Sequence, residues 1–517
     1  MGKWNWKGMC CAISLGMMMS CGGGEDEPIA PVEPVEPEVV VPKPEKVDTL
    51  KLETTIFQDL PTNGQTVVVK YQASGDVRVS VGDVWVKETS SKALQSTQKS
   101  FVVAPNGGNE RTTQLTFTLG KLTEKVTLVQ QGCEPVKEGE GFPWEVARKL
   151  GLGWNLGNQM DAHNNGVANE TCWGNQPATQ QTFDNLAKAG ITSVRIPVTW
   201  LGHIGEAPDY QIEEAWLNRV AEIVGYAENA KLNAIINMHH DGADSKYWLS
   251  IKEAASSEEK HTAIKNQLKA MWTQIATKFK DKGDFLIFES MNEIHDGGWG
   301  WGDNLKDNGR QYAILNEWNQ VFVDAVRSVG GENTNRFLGI PGYCTNADLT
   351  IKHWVLPKDV VPDRLMVAVH FYDPYEYTLN AKYTEWGYTA VSGKKDSWGD
   401  EENVKNVFDQ LRTKFIDQGI PVYIGEMGCV HRNNNRAESF RKYYLEYVCK
   451  AARSFGMAPF YWDNGATGAG RECSGLFNHA TGAYINNAKE IVAVMVKALF
   501  TEDEDYTLNT VYDKAPR

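Results

Sequence analysis

The chain is 517 residues long, more than one ordinary domain needs, and 42% of it is hydrophobic, so a large core can be buried. Its net charge of -14 and pI of about 5.3 argue against nucleic acid or an anionic membrane surface as a partner, because phosphates would be repelled, and leave neutral ligands such as sugars open. Aromatic residues reach 10%, with 17 tryptophans, which suits stacking on sugar rings, although most tryptophans in any protein serve packing.

Residues 1–20 read as an export signal. Lys3 and Lys7 precede an apolar stretch from Met9 to Met19 that is too short to span a membrane. The stretch closes on Met18-Met19-Ser20-Cys21, which is similar to a bacterial lipobox with Met where Leu is usual. That resemblance implies a lipidated Cys21 as the mature N-terminus. Secretory cleavage without a lipid is the alternative. The following Gly22-Gly-Gly-Glu-Asp-Glu27 resembles the acidic tag that directs lipoproteins of some gut bacteria to the cell surface. An outer-membrane location, anchored by lipid and facing outward, is therefore expected. Cys10 and Cys11 leave with the signal. Cys133, Cys172, Cys344, Cys429, Cys449 and Cys473 stay, in no CxxC pair, so no structural zinc is expected and any disulfide pairing is left open.

Residues 21–47 form a linker. From residue 28 it is rich in Pro, Glu and Val, giving a stiff, self-repelling spacer. Residues 48–133 then alternate with period two. Val67, Val69 and Tyr71 share a face, as do Val77, Val79 and Val81, while Leu115, Phe117 and Leu119 alternate with threonines and Val126 and Leu128 close the set. Asn63-Gly64, Gly75-Asp76 and Asn106-Gly-Gly108 mark turns, so a small all-β sandwich is expected. On Asp83-Val-Trp85 and the closing Val129-Gln-Gln-Gly132 it resembles the BACON domain that precedes catalytic domains in Bacteroidetes. That family's name implies carbohydrate binding. A rigid spacer without a ligand is the reading we adopt.

From about residue 140 to 500 the rhythm becomes strand then helix. Apolar runs at 151–157, 191–197, 233–239, 285–292, 336–340, 364–371, 421–425 and 457–462 alternate with helical patterns such as Ala215–Lys231, His261–Lys280, Tyr312–Val329 and Arg436–Phe455. Eight strands so interleaved are the count of a (β/α)8 barrel, with residues 501–517 left as a tail. A doubly wound sheet is disfavoured, because no Gly-rich phosphate loop follows the first strand.

Barrel active sites sit at the carboxyl ends of the strands. There the second strand delivers Arg195, the third His239-His240-Asp241, the fourth Asn292-Glu293, the sixth His370 and Tyr372, the seventh Glu426 and the eighth Trp462. Two glutamates on strands across one lumen suit an acid and a nucleophile on either side of a glycosidic bond. Glu289 shares a face with Glu293 but lies deeper, two residues below the rim, so it is expected to be buried and paired with Arg195. Each of Arg195, His370 and Trp462 taken alone would be an ion-pair, hydrogen-bonded or core residue. His239, His240 and Asp241 with Asp244 suggest a metal, but adjacent residues of a strand face opposite ways, so none is expected. Asn169-Glu-Thr171 is a glycosylation-type triplet without expected meaning in a bacterial lipoprotein. Trp173, Trp248, Trp299, Trp301 and Trp386 fall in candidate loops, and Trp299 and Trp301, directly after Glu293, are best placed to stack on sugar.

Together Arg195-Ile-Pro, Asn237-Met-His-His240, Met291-Asn-Glu-Ile294, His370-Phe-Tyr372, Ile424-Gly-Glu-Met-Gly428 and Tyr461-Trp462 resemble glycoside hydrolase family 5. Gly153-Trp-Asn-Leu-Gly-Asn158 points to its endoglucanase branch, which includes cellulases and xyloglucanases. The resemblance implies Glu293 as acid/base, Glu426 as nucleophile, Asn292 on the sugar 2-hydroxyl, and Tyr372 and Arg195 supporting Glu426. It further implies that His239 (or His240) and His370 orient sugar and acid, and that Trp462 floors the reacting subsite, with Asn158 a supporting residue. A retaining endo-β-1,4-glucanase follows, with mannanase or xylanase as rivals on the same scaffold and a non-catalytic glycan-binding lipoprotein as the rival of another class. Such a mechanism asks for Glu426 ionised beside a cation and Glu293 holding a proton. No cofactor, a β-1,4-glucan substrate and a monomer are expected.

Overall fold

The computed structural model describes residues 47–89 and 97–517. The export signal, Cys21 and the linker up to residue 46 lie outside the described residues.

The first eight strands form two four-stranded sheets. One runs β1 (Leu50–Leu52), β3 (Gln65–Ala73), β6 (Gln98–Val103), β5 (Val86–Thr89), and the other β2 (Ile56–Leu60), β8 (Leu122–Gln130), β7 (Arg111–Leu119), β4 (Arg78–Val81). Their inner faces meet in one apolar cluster, with Val69, Phe101, Leu115, Phe117, Val126 and Leu128 fully buried. The alternation read from the sequence is the alternation of burial, because each residue of a strand faces the side opposite its neighbour's. Val77, Val79 and Val81 pack at the margin of this cluster, half-buried.

The remainder closes into a barrel of eight parallel strands. β9 (Gly153–Leu156) is followed by a small hairpin, β10 (His163–Asn164) and β11 (Val167–Ala168), and then by β12 (Ser193–Ile196), β13 (Asn233–Ile236), β14 (Leu286–Glu289), β15 (Leu338–Asn346), β16 (Leu365–Phe371), β17 (Val422–Met427) and β18 (Met457–Asp463), which returns to β9. Parallel strands covered on both faces read as unbroken apolar runs, and every residue of β16 and β17 is buried. Helices cover the outside. The helix Glu258–Lys278 starts on Ser257, whose side chain accepts from the Lys260 N–H, with Glu258 and Glu259 against the helix dipole. It turns Ile264, Leu268, Met271, Trp272 and Ile275 inward, and Trp272 lies 5.4 Å from Phe288 on β14.

Some strands end earlier than their apolar runs. β13 stops at Ile236, where the side chain of Asn237 takes over as acceptor for the Val198 N–H at 3.1 Å, and β14 stops at Glu289. β15 instead runs on to Asn346. The tail is not loose. Its helix Leu508–Asp513 sits between sandwich and barrel, with Asn109 donating to Asp513 at 2.7 Å and Asn509 donating to the Cys133 carbonyl at 2.6 Å. Tyr512 stacks on Tyr388 at 4.2 Å, and a side chain at Gly107 or Gly108 would collide with Tyr512, so glycine permits this approach. No helix among the described residues is long and apolar enough to cross a membrane.

Beside this junction Glu401, at the start of helix Glu401–Lys414, is buried and accepts from the Tyr443 hydroxyl at 2.8 Å and the Tyr388 N–H at 3.1 Å. Burial pushes its carboxyl up to about 7. The folded state therefore holds this proton more tightly than the unfolded chain. The contribution is intact below the ordinary carboxyl range near 4.5 and is lost as pH rises toward 7. Glu401→Gln should accordingly gain stability relative to the parent between pH 4.5 and pH 8, by up to about 3 kcal/mol. Thermal melts across that range check it, and a pH-independent difference would refute the assignment.

Candidate active site

Barrel closure brings the strand ends listed by the sequence to one cleft. Arg195 on β12 is wholly buried at its centre. Its guanidinium meets Glu289 at 2.6 Å and Glu426 at 2.7 Å, and also donates to the Asn155 side chain at 3.0 Å and to Asn292 Oδ1 at 2.8 Å. The predicted Arg195–Glu289 pair is present, with Glu289 fully buried at the end of β14. Glu289 has two further partners that the sequence reading missed: Asn237 Nδ2 at 2.8 Å and the Tyr423 hydroxyl at 2.6 Å. Asn155, held by its own donation to the Gly425 carbonyl at 2.9 Å, was missed too. All three are inward residues of otherwise apolar runs, and that placement was the available signal.

Glu426 and Glu293 face one another. Oxygen atoms of the two carboxylates and a ring nitrogen of His370 all lie within 4.8 Å of one another. His370 Nδ1 is 2.7 Å from Glu293 and 3.6 Å from Glu426. Tyr372 donates to Glu426 Oε2 at 3.1 Å, and burial holds its phenol well above the usual range, so it keeps its proton. The Glu426 side chain is 7% exposed against 22% for Glu293, so Glu293 is the one more open to the cleft. Asn292 is buried, its oxygen engaged by Arg195, while its Nδ2 donates to no group among the described residues.

The carboxyl pair departs from the charge pattern expected of it. Burial works to raise both. For Glu293 the hydrogen bond and charge of His370 more than offset burial, and its pKa lies below the usual value. For Glu426 burial, aided by the charge of Glu293, outweighs His370 and Arg195, and its pKa lies above. The expectation of a lowered Glu426 and a raised Glu293 omitted a histidine bonded directly to the acid. That contact between His370 Nδ1 and Glu293 is 2.7 Å long.

His239 lies at the same mouth. Its Nε2 is 3.9 Å from Glu426 and its ring is parallel to that of Trp462 at 5.7 Å. Burial holds it well below the ordinary histidine range, so it is a neutral imidazole. Trp462 is half-buried on β18, and Gly157 packs against its ring so closely that a Cβ would lie 2.8 Å away. His240 is not turned away from His239. Because β13 ends at Ile236, both sit in the turn that follows, with ring centroids 4.5 Å apart, and His240 Nε2 is 3.7 Å from Asp161. The argument that adjacent histidines must diverge fails for that reason. Among the described residues two groups could each offer three ligand atoms to a metal ion: Asp161, His239 and His240, and Glu293, His370 and Glu426.

Other expected residues stand apart. Asn158 has a positive φ of 56° and contributes its backbone, donating N–H to Asp161 at 3.1 Å. The Trp299 ring lies tilted against that of His295, centroids 4.3 Å apart, and is 56% exposed, while Trp301 is 84% exposed. Trp173 packs against His163 and His240, and Trp386 is core. The six described cysteines are free thiols.

A parallel barrel carrying two facing carboxylates at the ends of its fourth and seventh strands defines a glycoside hydrolase. Residues 160–468 match the cellulase model of glycosyl hydrolase family 5, which is more than half of the chain, and the protein belongs to that family. A broad-specificity endoglucanase from Bacteroides salanitronis is 65% identical in sequence, with a TM-score of 0.69 over 71% of this chain and 98% of its own. Endoglucanase A of Paenibacillus barcinonensis is 37% identical over 63% of this chain and 83% of its own. A Bacteroides ovatus xyloglucanase, solved with a XXXG heptasaccharide, is 28% identical with a TM-score of 0.62 over 88% of this chain and 100% of its own.

Proposed function

We propose that the chain is a retaining endo-β-1,4-glucanase that cleaves internal bonds of plant β-glucan, of cellulose type or of a xyloglucan backbone. The observation that carries this is the approach of the Glu293 and Glu426 oxygens to within 4.8 Å, which suits a covalent relay and leaves little room for the water an inverting enzyme places between its carboxyls. In this reading Glu426, clamped by Arg195 and Tyr372, attacks the anomeric carbon, while Glu293 protonates the departing oxygen. Sugar in the cleft expels water from Glu293 and favours its neutral form. Once Glu426 is glycosylated its charge is gone, and Glu293 ionises and acts as base toward water. The free Nδ2 of Asn292 is placed for the 2-hydroxyl, neutral His239 for a neighbouring hydroxyl, and Trp462 for the ring face.

The identified relatives, a broad-specificity endoglucanase and a xyloglucanase among them, support a glucan backbone over mannan or xylan. Product analysis on xyloglucan, carboxymethylcellulose and glucomannan should show fastest release from a glucan, undiminished by exhaustive chelation. Fastest turnover on mannan would reject the choice of backbone, and binding of glucan without reducing ends would favour the non-catalytic glycan-binding reading.

The remaining proposals concern the N-terminal third. The sandwich at 48–133 is a BACON-like spacer, supported by Trp85, which is buried under the Arg111 guanidinium at 4.4 Å and so is not free to stack on sugar. Met18-Met19-Ser20-Cys21 supports a lipoprotein held at the outer membrane, and the acidic Gly22–Glu27 that follows supports an outward-facing one. Radiolabelled palmitate should enter the protein expressed in a diderm bacterium and should not enter Cys21→Ala. Equal labelling of both would exclude Cys21 as the lipid site.

A further inference from the structure

The turn after β13 brings two imidazoles, His239 and His240, to a buried carboxylate from the loop after β9. Asp161, His239 and His240 each present one ligand atom within 4.8 Å of the other two. Asp161 is fully buried, and its carboxylate accepts from the backbone N–H groups of Asn158 and Gln159, at 3.1 and 2.7 Å. Among the described residues no Lys or Arg pairs with it, and His240 Nε2, at 3.7 Å, stands just beyond hydrogen-bond reach. A buried carboxylate with two neutral donors keeps an uncompensated charge. His163 adds to the set. Its ring lies 5.7 Å from that of His240, and its Nδ1 is buried with no partner.

Two imidazoles and a carboxylate are the ligand types of zinc, copper(II) and nickel(II), with remaining positions open to water. We propose that Asp161, His239 and His240 bind a divalent transition-metal ion at the rim of the cleft, and that the bound ion shuts out the sugar. His239 links the two events: its ring lies beside Trp462, and its Nε2 is 3.9 Å from Glu426. An ion on His239 occupies the nitrogen that would meet a sugar hydroxyl and sets positive charge next to the nucleophile. The alternative cluster of Glu293, His370 and Glu426 is a poorer host, because the Arg195 cation already sits 2.7 Å from Glu426. The exclusion of sugar rests on the glucanase reading; the binding of metal does not.

The test titrates zinc chloride into the full chain carrying Cys172→Ser, since that exposed thiol would compete for the metal. Calorimetry should report one zinc per chain. In that background His240→Phe, which keeps a ring against Trp173, and Asp161→Asn, which keeps the shape of the carboxyl, should each weaken binding at least tenfold. Cobalt(II) should give a visible absorption band that both variants lose, and melting temperatures within a few degrees of the parent show that they fold. Zinc should then inhibit glucan hydrolysis competitively and reversibly by chelator. Absence of binding, or equal binding by parent and both variants, overturns the site. Binding without inhibition of an active enzyme overturns the link to sugar. Failure of all glucan hydrolysis with zinc binding intact would count against the glucanase reading alone.

Discussion

Replacing Glu426 by Gln should remove turnover almost completely, by a factor on the order of 10⁴ or more, while leaving glucan binding in place. The amide is isosteric, its oxygen can still accept from Arg195 and its NH2 can donate to the Tyr372 hydroxyl oxygen, so the cleft keeps its shape, but it cannot form the glycosyl intermediate. Glu293→Gln should behave differently. It should cost roughly 10²–10⁴-fold on polysaccharide, where the leaving group needs a proton, and far less on aryl cellobiosides, whose phenolate leaves unaided. Small anions such as azide separate the two roles further. In the Glu293 variant azide should attack the glycosyl intermediate and give the β-azide. In a Glu426→Ala variant it should enter the vacated space and give the α-azide from an activated β-glycoside. The opposite pairing of variant and anomer, or turnover on polysaccharide by Glu426→Gln, would reverse or refute the roles.

Arg195→Met should be the most destabilising single change in the cleft, by about 3–5 kcal/mol. Arg195 is fully buried and meets two carboxylates that are themselves removed from water, so its loss strands Glu289 and Glu426 as uncompensated charges. The mechanism can be separated from simple loss of packing. Adding Glu289→Met to Arg195→Met removes one stranded charge, so the double variant should unfold at higher denaturant than the single one, a non-additivity of a kind expected for residues in one network. Any residual activity of Arg195→Met should also show its acidic limb of kcat/KM moved to higher pH, because Glu426, already raised by burial, loses the cation that opposed it. Additive stabilities, or an unmoved limb, would mean that Arg195 acts through packing alone.

Much of this site was legible because the reacting residues interrupt otherwise apolar runs. Glu426 closes the run that forms β17, and Arg195 breaks the one that forms β12, so a barrel count placed both at the lumen. Alternation also turned Glu289, the last residue of β14, inward, where it is fully buried. The same rule failed at His239 and His240, because it holds only while the chain stays extended, and β13 ends before them. The loop tryptophans lie beyond the reach of that rule, because the chain has left the strand before them, and Trp299 and Trp301 stand 56% and 84% exposed. The tail showed no periodicity to announce it, yet Tyr512 stacks on Tyr388 and Asp513 takes a hydrogen bond from Asn109 on the sandwich.

The amino-acid order on its own determined the barrel, the preceding sandwich and which side chains stand at the mouth, since strand period and helix period are local properties of a chain. Only the closed tertiary structure decided who neighbours whom: that His370 bonds to Glu293 and tips its proton balance, that Asn155, Asn237 and Tyr423 complete the shell around Arg195 and Glu289, and that Asp161 meets the two histidines. Those contacts join residues tens to hundreds of positions apart. Their energies depend on distance and burial, and neither quantity exists until the strands have closed into a ring.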